Sequence, residues 1–271
     1  MPKAAPLGND EPRLPRADSR LTEKDMADDF TRRTEALVAN RPAGLPAMAQ
    51  RWDDLLFLHW RADPAELSRR LPGGLSLDTF GGEAHIGLVA FAMRRVRPWL
   101  LPPLPWLSDF LELNVRLYVR GPDGTPGVHF LSLDCERDLA VRIARAAFHL
   151  PYRHATMACR KASGAFRYTC RRGGEGATAH LAWKPHGSVA PAAAGTLEHF
   201  LAERYAFFTK DTNGHLLRGE VRHAPYGISP AGLAIWDDQP LRWDGLGALG
   251  APSHSMASPG VSVRCWSLRP A

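Results

Sequence analysis

A chain of 271 residues, 45% of them hydrophobic, is long enough to bury a core as one large domain or two small ones. Its formal charge of +6 comes from 34 basic residues, of which only Lys3, Lys24, Lys161, Lys184 and Lys210 are lysines. No run interleaves basic with aromatic residues, which argues against nucleic acid as a partner. No apolar stretch approaches the roughly eighteen residues of a membrane helix, and the opening MPKAAPLGNDEPRLPR lacks a signal-peptide core, so a soluble cytoplasmic protein with no membrane partner is expected.

The arginine excess, set among many Ala, Pro and Gly, reads as coding bias, with an anion-binding surface as the functional alternative. Cys135, Cys159, Cys170 and Cys265 are widely spaced and form no CxxC pair, which fits free thiols rather than a zinc ribbon or redox dithiol. The histidines form no HExxH, and His149 and His154 lack ligand spacing. No GxSxG or Walker A segment occurs, and neither a metal nor a cofactor is expected.

Residues 1–47 read as a flexible extension, in which Thr22 to Ala39 forms at most a loosely attached helix. The domain proper is taken as 48–271. DDLLFLHW is a buried strand. Asp63 caps a short helix with Pro64 at its first position and Glu66 three residues on. Gly81-Gly82 marks a hairpin between LSLDTF and EAHIGLVAFAM. The proline-rich RPWLLPPLPWL is a loop expected to pack its Trp and Leu side chains, at a pocket mouth.

In ELNVRLYV, Leu113, Val115, Leu117 and Val119 face one way, and Glu112, Asn114, Arg116 and Tyr118 the other. That second face is solvated in an open sheet and a lumen in a closed barrel. After the GPDGTPG turn, VHFLSLD is the partner strand. RDLAVRIARAAF is a helix with Leu139, Ile143, Ala147 and Leu150 on one stripe. Three strands follow between Tyr152 and Trp183. A helix capped by Thr196 runs through TLEHFLAERY, and Asp211 to Gly214 turns a hairpin. Beyond Pro225 only SVRCWSL is strand-like. The pattern predicts a β-rich α+β domain with two or three short helices.

Several of these segments, RWDDLLFLHW, LPGGLSLDTFGG, SDFLELNVRLYVR, HLPYRHA, TLEHFLAERY and VRHAPY, resemble the DUF2071 (YqjF-like) family over about Arg51 to Tyr226. That family is distantly similar to the acetoacetate decarboxylase-like superfamily. The resemblance implies a cone-shaped β-barrel with an internal pocket. In the decarboxylase a lysine after a proline forms a Schiff base, a second lysine lowers its pKa, and a glutamate lies about forty residues upstream. Here Tyr152 follows Pro151 at the nucleophile's place, Arg153 stands at the cationic neighbour's, and Glu112 lies 40 residues upstream. A phenol or a guanidinium cannot form a Schiff base, so the decarboxylase's mechanism is not expected here, the alternative being a displaced lysine, Lys161, that reaches the same cavity.

The candidate site is Glu112 and Tyr152 with Arg153 as catalytic groups, and Asn114, Arg116, Arg204 and His223 as substrate-binding groups. Arg116 and Arg153 would clamp an anion; the alternative is a structural ion pair with Glu112. Tyr152 would donate a hydrogen bond, or simply satisfy its hydroxyl. Arg204 also suits a helix C-terminus without any ligand, and His223 is equally read as an ordinary core histidine. The expected partner is a small organic acid or other anionic small molecule, handled as a lyase-like enzyme would or held by a non-catalytic sensor. A homo-oligomer is left open.

Overall fold

The computed structural model describes residues 23–104 and 107–271. Fourteen strands carry nearly half of the described chain: β1 (Met48–Ala62), β2 (Ser76–Leu77), β3 (Ala84–Pro98), β4 (Phe110–Arg120), β5 (Pro126–Cys135), β6 (Tyr152–Ala162), β7 (Ala165–Arg172), β8 (Ala179–Pro185), β9 (Ala190–Pro191), β10 (Ala206–Lys210), β11 (Leu216–Arg222), β12 (Gly227–Ile235), β13 (His254–Cys265) and β14 (Arg269–Pro270). Five helices join them: α1 (Glu23–Ala39), α2 (Pro64–Ser68), α3 (Asp138–Phe148), α4 (Leu197–Ala202) and α5 (Gln239–Trp243).

The strand pairings close on themselves. One ring runs β5-β6-β7-β8-β12-β13-β1-β3-β4 and returns to β5; β10 and β11 close a second ring by joining β5 to β13. The two rings share the wall β13-β1-β3-β4-β5. Both faces of that wall are therefore buried. Leu113, Val115, Leu117 and Val119 enter one apolar cluster, with Leu56, Leu88 and Tyr168. Tyr118 enters the other, with Phe57, Phe91, Tyr152 and Cys265. Glu112, Asn114 and Arg116 are buried on that second face, so the polar stripe of β4 is interior rather than solvated.

The β-rich architecture and its short helices are those expected. The caps are as read: the Asp63 carboxylate accepts from Ala65 N at 2.8 Å, and the Thr196 hydroxyl accepts from His199 N at 3.3 Å. Gly81 and Gly82 have φ of 57° and 78° and form a tight turn closed by the Phe80–Glu83 bridge. The strand before that turn, however, pairs with β4 and not with β3. Two pairings are parallel, β5 with β6 and β5 with β10. The first is a crossover through α3, which the local pattern did not reveal.

Several expectations are corrected. α1 is not loosely attached. Phe30 is 2% exposed and packs on Phe200 at 5.1 Å, while Asp29 accepts from Arg120 at 2.7 Å. Residues 1–22 lie outside the described residues. α3 turns its Ala140, Val141, Ala144 and Phe148 side to the core, and Leu139 and Ala147 are exposed. The proline-rich loop leaves Leu100 79% exposed, with Leu101 and Leu104 also outward; Pro105 and Trp106 lie outside the described residues. The segment beyond Pro225 is more ordered than its Gly, Ser and Pro content suggested: β12 pairs with β8, and β13 pairs with most of β1. No helix of the described residues is long and apolar enough to cross a membrane.

Candidate functional site

Register places the central pair. Glu112 lies opposite Cys135 on β5, and β5 runs parallel to β6 with Leu133 opposite Tyr152. Two strand spacings of about 4.8 Å separate β4 from β6, and the side chains close that gap across β5. Tyr152 Oη donates to Glu112 Oε2 at 2.7 Å, with both residues buried. From the other cluster, Tyr168 Oη donates to the Glu112 carbonyl at 2.9 Å and fixes the backbone beneath the carboxyl.

Burial governs the electrostatics. It pushes the Glu112 carboxyl up to about 7, against the opposing pull of hydrogen bonds from Tyr152 and Asn114. The Tyr152 phenol is raised well above its usual range by burial and by the Glu112 charge. Near neutral pH the pair therefore holds an exchangeable proton on Glu112 and a fixed one on Tyr152.

Arg116 lies four residues along the same face. Its Nη2 donates to the Leu201 carbonyl at 3.0 Å, and its Nε and Nη2 approach Tyr118 Oη at 3.4 and 3.3 Å. Its guanidinium sits 5.6 Å from the Phe57 ring centre and 5.4 Å from that of Tyr118. Among the described residues it has no carboxylate partner, although it is only 8% exposed. Gly87, opposite Arg116 on β3, makes the room: a Cβ there would lie 2.8 Å from Tyr118 Oη and 3.2 Å from Arg116 Cγ.

Tyr118 Oη, which accepts from Arg116, also lies 2.9 Å from His59 Nε2, and His59 Nδ1 has no partner. His59 is held well below its usual pKa by burial first, then by His254 and Arg116. His223 is stacked on Tyr205 at 4.6 Å and lies 4.6 Å from Tyr226, both oriented by Glu203. Its Nδ1 faces the Ala224 carbonyl at 2.8 Å, so Nε2 carries the lone pair, and it too is unpartnered. Burial takes His223 down to about 4. Asn114 Oδ1 and Trp52 Nε1 are further buried polar atoms without partners.

The candidates divide accordingly. The structure brings together Glu112, Tyr152 and Asn114, with Arg116 and His223 farther along the same interior. Arg153 is corrected: it is exposed, because Tyr152 and Arg153 are consecutive on a strand and point to opposite faces. Arg204 is neutralised instead of offered to a ligand. It pairs with Asp78 at 2.7 Å, donates to the Phe200 carbonyl at 2.9 Å and lies over the Phe30 and Phe200 rings. His59, Trp52 and Gly87 escaped the sequence reading, and Tyr118, read onto this face, was not among the site candidates. His59 lies in the run 55–60 of β1, which is buried without a break and gives no alternation to single it out.

Lys161 does not approach Tyr152. It pairs with Asp54 at 2.8 Å, packs on Phe166 and lines a surface cavity of about 270 Å³ together with Arg94, Glu136, Cys159 and Tyr168. Among the described residues no cluster of His, Cys, Asp and Glu has metal-binding geometry.

These strand rings define a class: the chain has the acetoacetate decarboxylase-like fold. An acetoacetate decarboxylase from Legionella pneumophila superposes with a TM-score of 0.59 at 13% identity, covering 85% of this chain and 91% of that one. An acetoacetate decarboxylase-like enzyme from Sphingomonas wittichii RW1 gives 0.59 at 15%, covering 83% and 93%. The enduracididine biosynthesis enzyme MppR complexed with pyruvate gives 0.56 at 13%, covering 85% and 93%. Within that class, residues 49–262 match DUF2071, an uncharacterized conserved protein family, and the chain belongs to it. The uncharacterized protein YqjF of Bacillus subtilis (strain 168) is 37% identical over 195 residues, 72% of this chain and 80% of that protein.

Proposed function

We propose that this protein binds a carbonyl-bearing organic acid without forming a covalent bond to it. The observation that carries this reading is the buried Glu112–Tyr152 hydrogen bond at the place where the decarboxylase resemblance puts a Schiff-base lysine. Two neutral O–H groups there can donate to a carbonyl oxygen, and neither can attack its carbon. Arg116, a buried cation with no carboxylate partner among the described residues, supplies the counter-charge an acid needs. A fold neighbour that holds pyruvate supports an oxo acid as the ligand class.

In a lyase-type reaction Glu112 exchanges the proton, because it is the member of the pair that titrates near neutrality. A non-catalytic sensor is favoured by one observation: Tyr152 cannot ionise, which leaves a single proton-transfer group. Calorimetry with oxo and hydroxy acids, followed by NMR of the mixture, tests both. Saturable binding that weakens at least tenfold in Glu112→Gln supports the site. Product signals mark an enzyme, and their absence marks the sensor. No binding of any such acid at millimolar concentration overturns the proposal.

A further inference from the structure

Resting on that reading, we infer that the ligand is an extended oxo acid whose carboxylate and carbonyl are separated by a chain of about six bonds or more, rather than a short oxo acid such as pyruvate. The two polar ends of the interior face are too far apart for anything shorter. Glu112 and Arg116 are four residues apart on β4, which pairs regularly with β3 from Phe110 to Leu117. At about 3.3 Å per residue their backbones are roughly 13 Å apart.

The guanidinium does not shorten this span. It reaches across β3, over its register partner Gly87, to Tyr118 Oη, whereas the Glu112 carboxyl reaches the opposite way, across β5 to Tyr152. Allowing about 3 Å for a hydrogen bond at each end leaves roughly 7 Å for the ligand. An extended chain covers about 3.5 Å per three backbone bonds, which gives about six bonds.

The lining changes character as that length requires. Val89 lies opposite Asn114, between the two ends, and Phe57 lies opposite Val89 on the next strand. Tyr226 meets the Phe57 ring edge-on at 5.4 Å. An alkyl linker suits this middle section. Asn114 Oδ1 and His223 Nε2, both buried acceptors without partners, would receive a hydroxyl on that linker.

Calorimetry on the full chain with acetoacetate, oxooctanoate, oxononanoate and oxodecanoate, each with its carbonyl beside the terminal methyl, reads the dependence on length. The account expects affinity to rise at least tenfold from acetoacetate to the best of the longer acids. The methyl ester of that best acid should lose at least tenfold, a comparison that needs no variant. Arg116→Met should bind acid and ester alike. Equal affinity for acetoacetate and the longer acids, with Glu112→Gln weakening both, would overturn the extended ligand while leaving the site intact. An ester as tight as its acid would overturn the assignment of Arg116. No binding by any of the acids would overturn this inference together with the proposed function.

Discussion

Replacing Glu112 by Gln should make the protein more stable at alkaline pH, although Glu112 sits in a fully buried hydrogen bond. Folding raises this carboxyl from 4.5 to about 7. A raised acid pKa means that the fold prefers the protonated form. Below the unfolded pKa both states are protonated and there is no penalty. As pH rises from about 4.5 the unfolded chain ionises while the folded one resists, and stability falls until the folded group ionises too, near pH 7. At roughly 1.4 kcal/mol per pH unit the full penalty is about 3 kcal/mol. Gln has the same shape, still accepts from Tyr152 and never ionises. For a chain of this size the difference is roughly 6–12 °C in Tm at about pH 8, shrinking to nearly nothing at about pH 4. Thermal melts of both proteins across that range measure it. A difference that stays flat with pH, or a Gln variant that is less stable at about pH 8, would refute the argument that burial dominates Glu112.

Three further outcomes follow from the geometry. Asp78→Asn removes the negative charge shared by Arg204 and Arg120 and one of the two oxygens they use, leaves Arg204 buried with its charge uncompensated, and should cost about 3–5 kcal/mol in urea unfolding. Removing residues 1–47 exposes the surface that Phe30 covers and deprives Arg120 of Asp29, so the Tm should drop by several degrees, about 2 kcal/mol for the aromatic ring alone. Gly87→Ala should displace Tyr118 and Arg116 and weaken binding of the acid at least tenfold, while the pH dependence set by Glu112 persists in thermal melts; unchanged affinity would show that Arg116 does not hold the ligand.

Much of this was legible in the sequence where one local rule decides. The alternation in ELNVRLYV fixed which residues of β4 share a face, and the Asp63 and Thr196 caps followed from short-range chemistry. The same period-two rule could have removed Arg153, since it cannot share a face with Tyr152. What stayed hidden depends on contacts between distant residues. β12 and β13 are held by pairing with β8 and β1, which outweighs their Gly, Ser and Pro content. α1 docks through one ring and a ladder of Arg–Asp pairs reaching Asp78, which its weak periodicity does not signal. Arg204 looked like a ligand-binding cation because its partner, Asp78, lies 126 residues away.

The central claim is an oxo-acid site that works without a Schiff base, and borohydride trapping tests it most directly. The protein is saturated with the tightest oxo acid found by calorimetry, reduced with borohydride and weighed intact by mass spectrometry. The account predicts an unchanged mass in the wild type, because Lys161 is held by Asp54 at the surface cavity and the buried pair carries no amine. A mass increase equal to the reduced ligand, mapped to Lys161 and lost in Lys161→Ala, would contradict it.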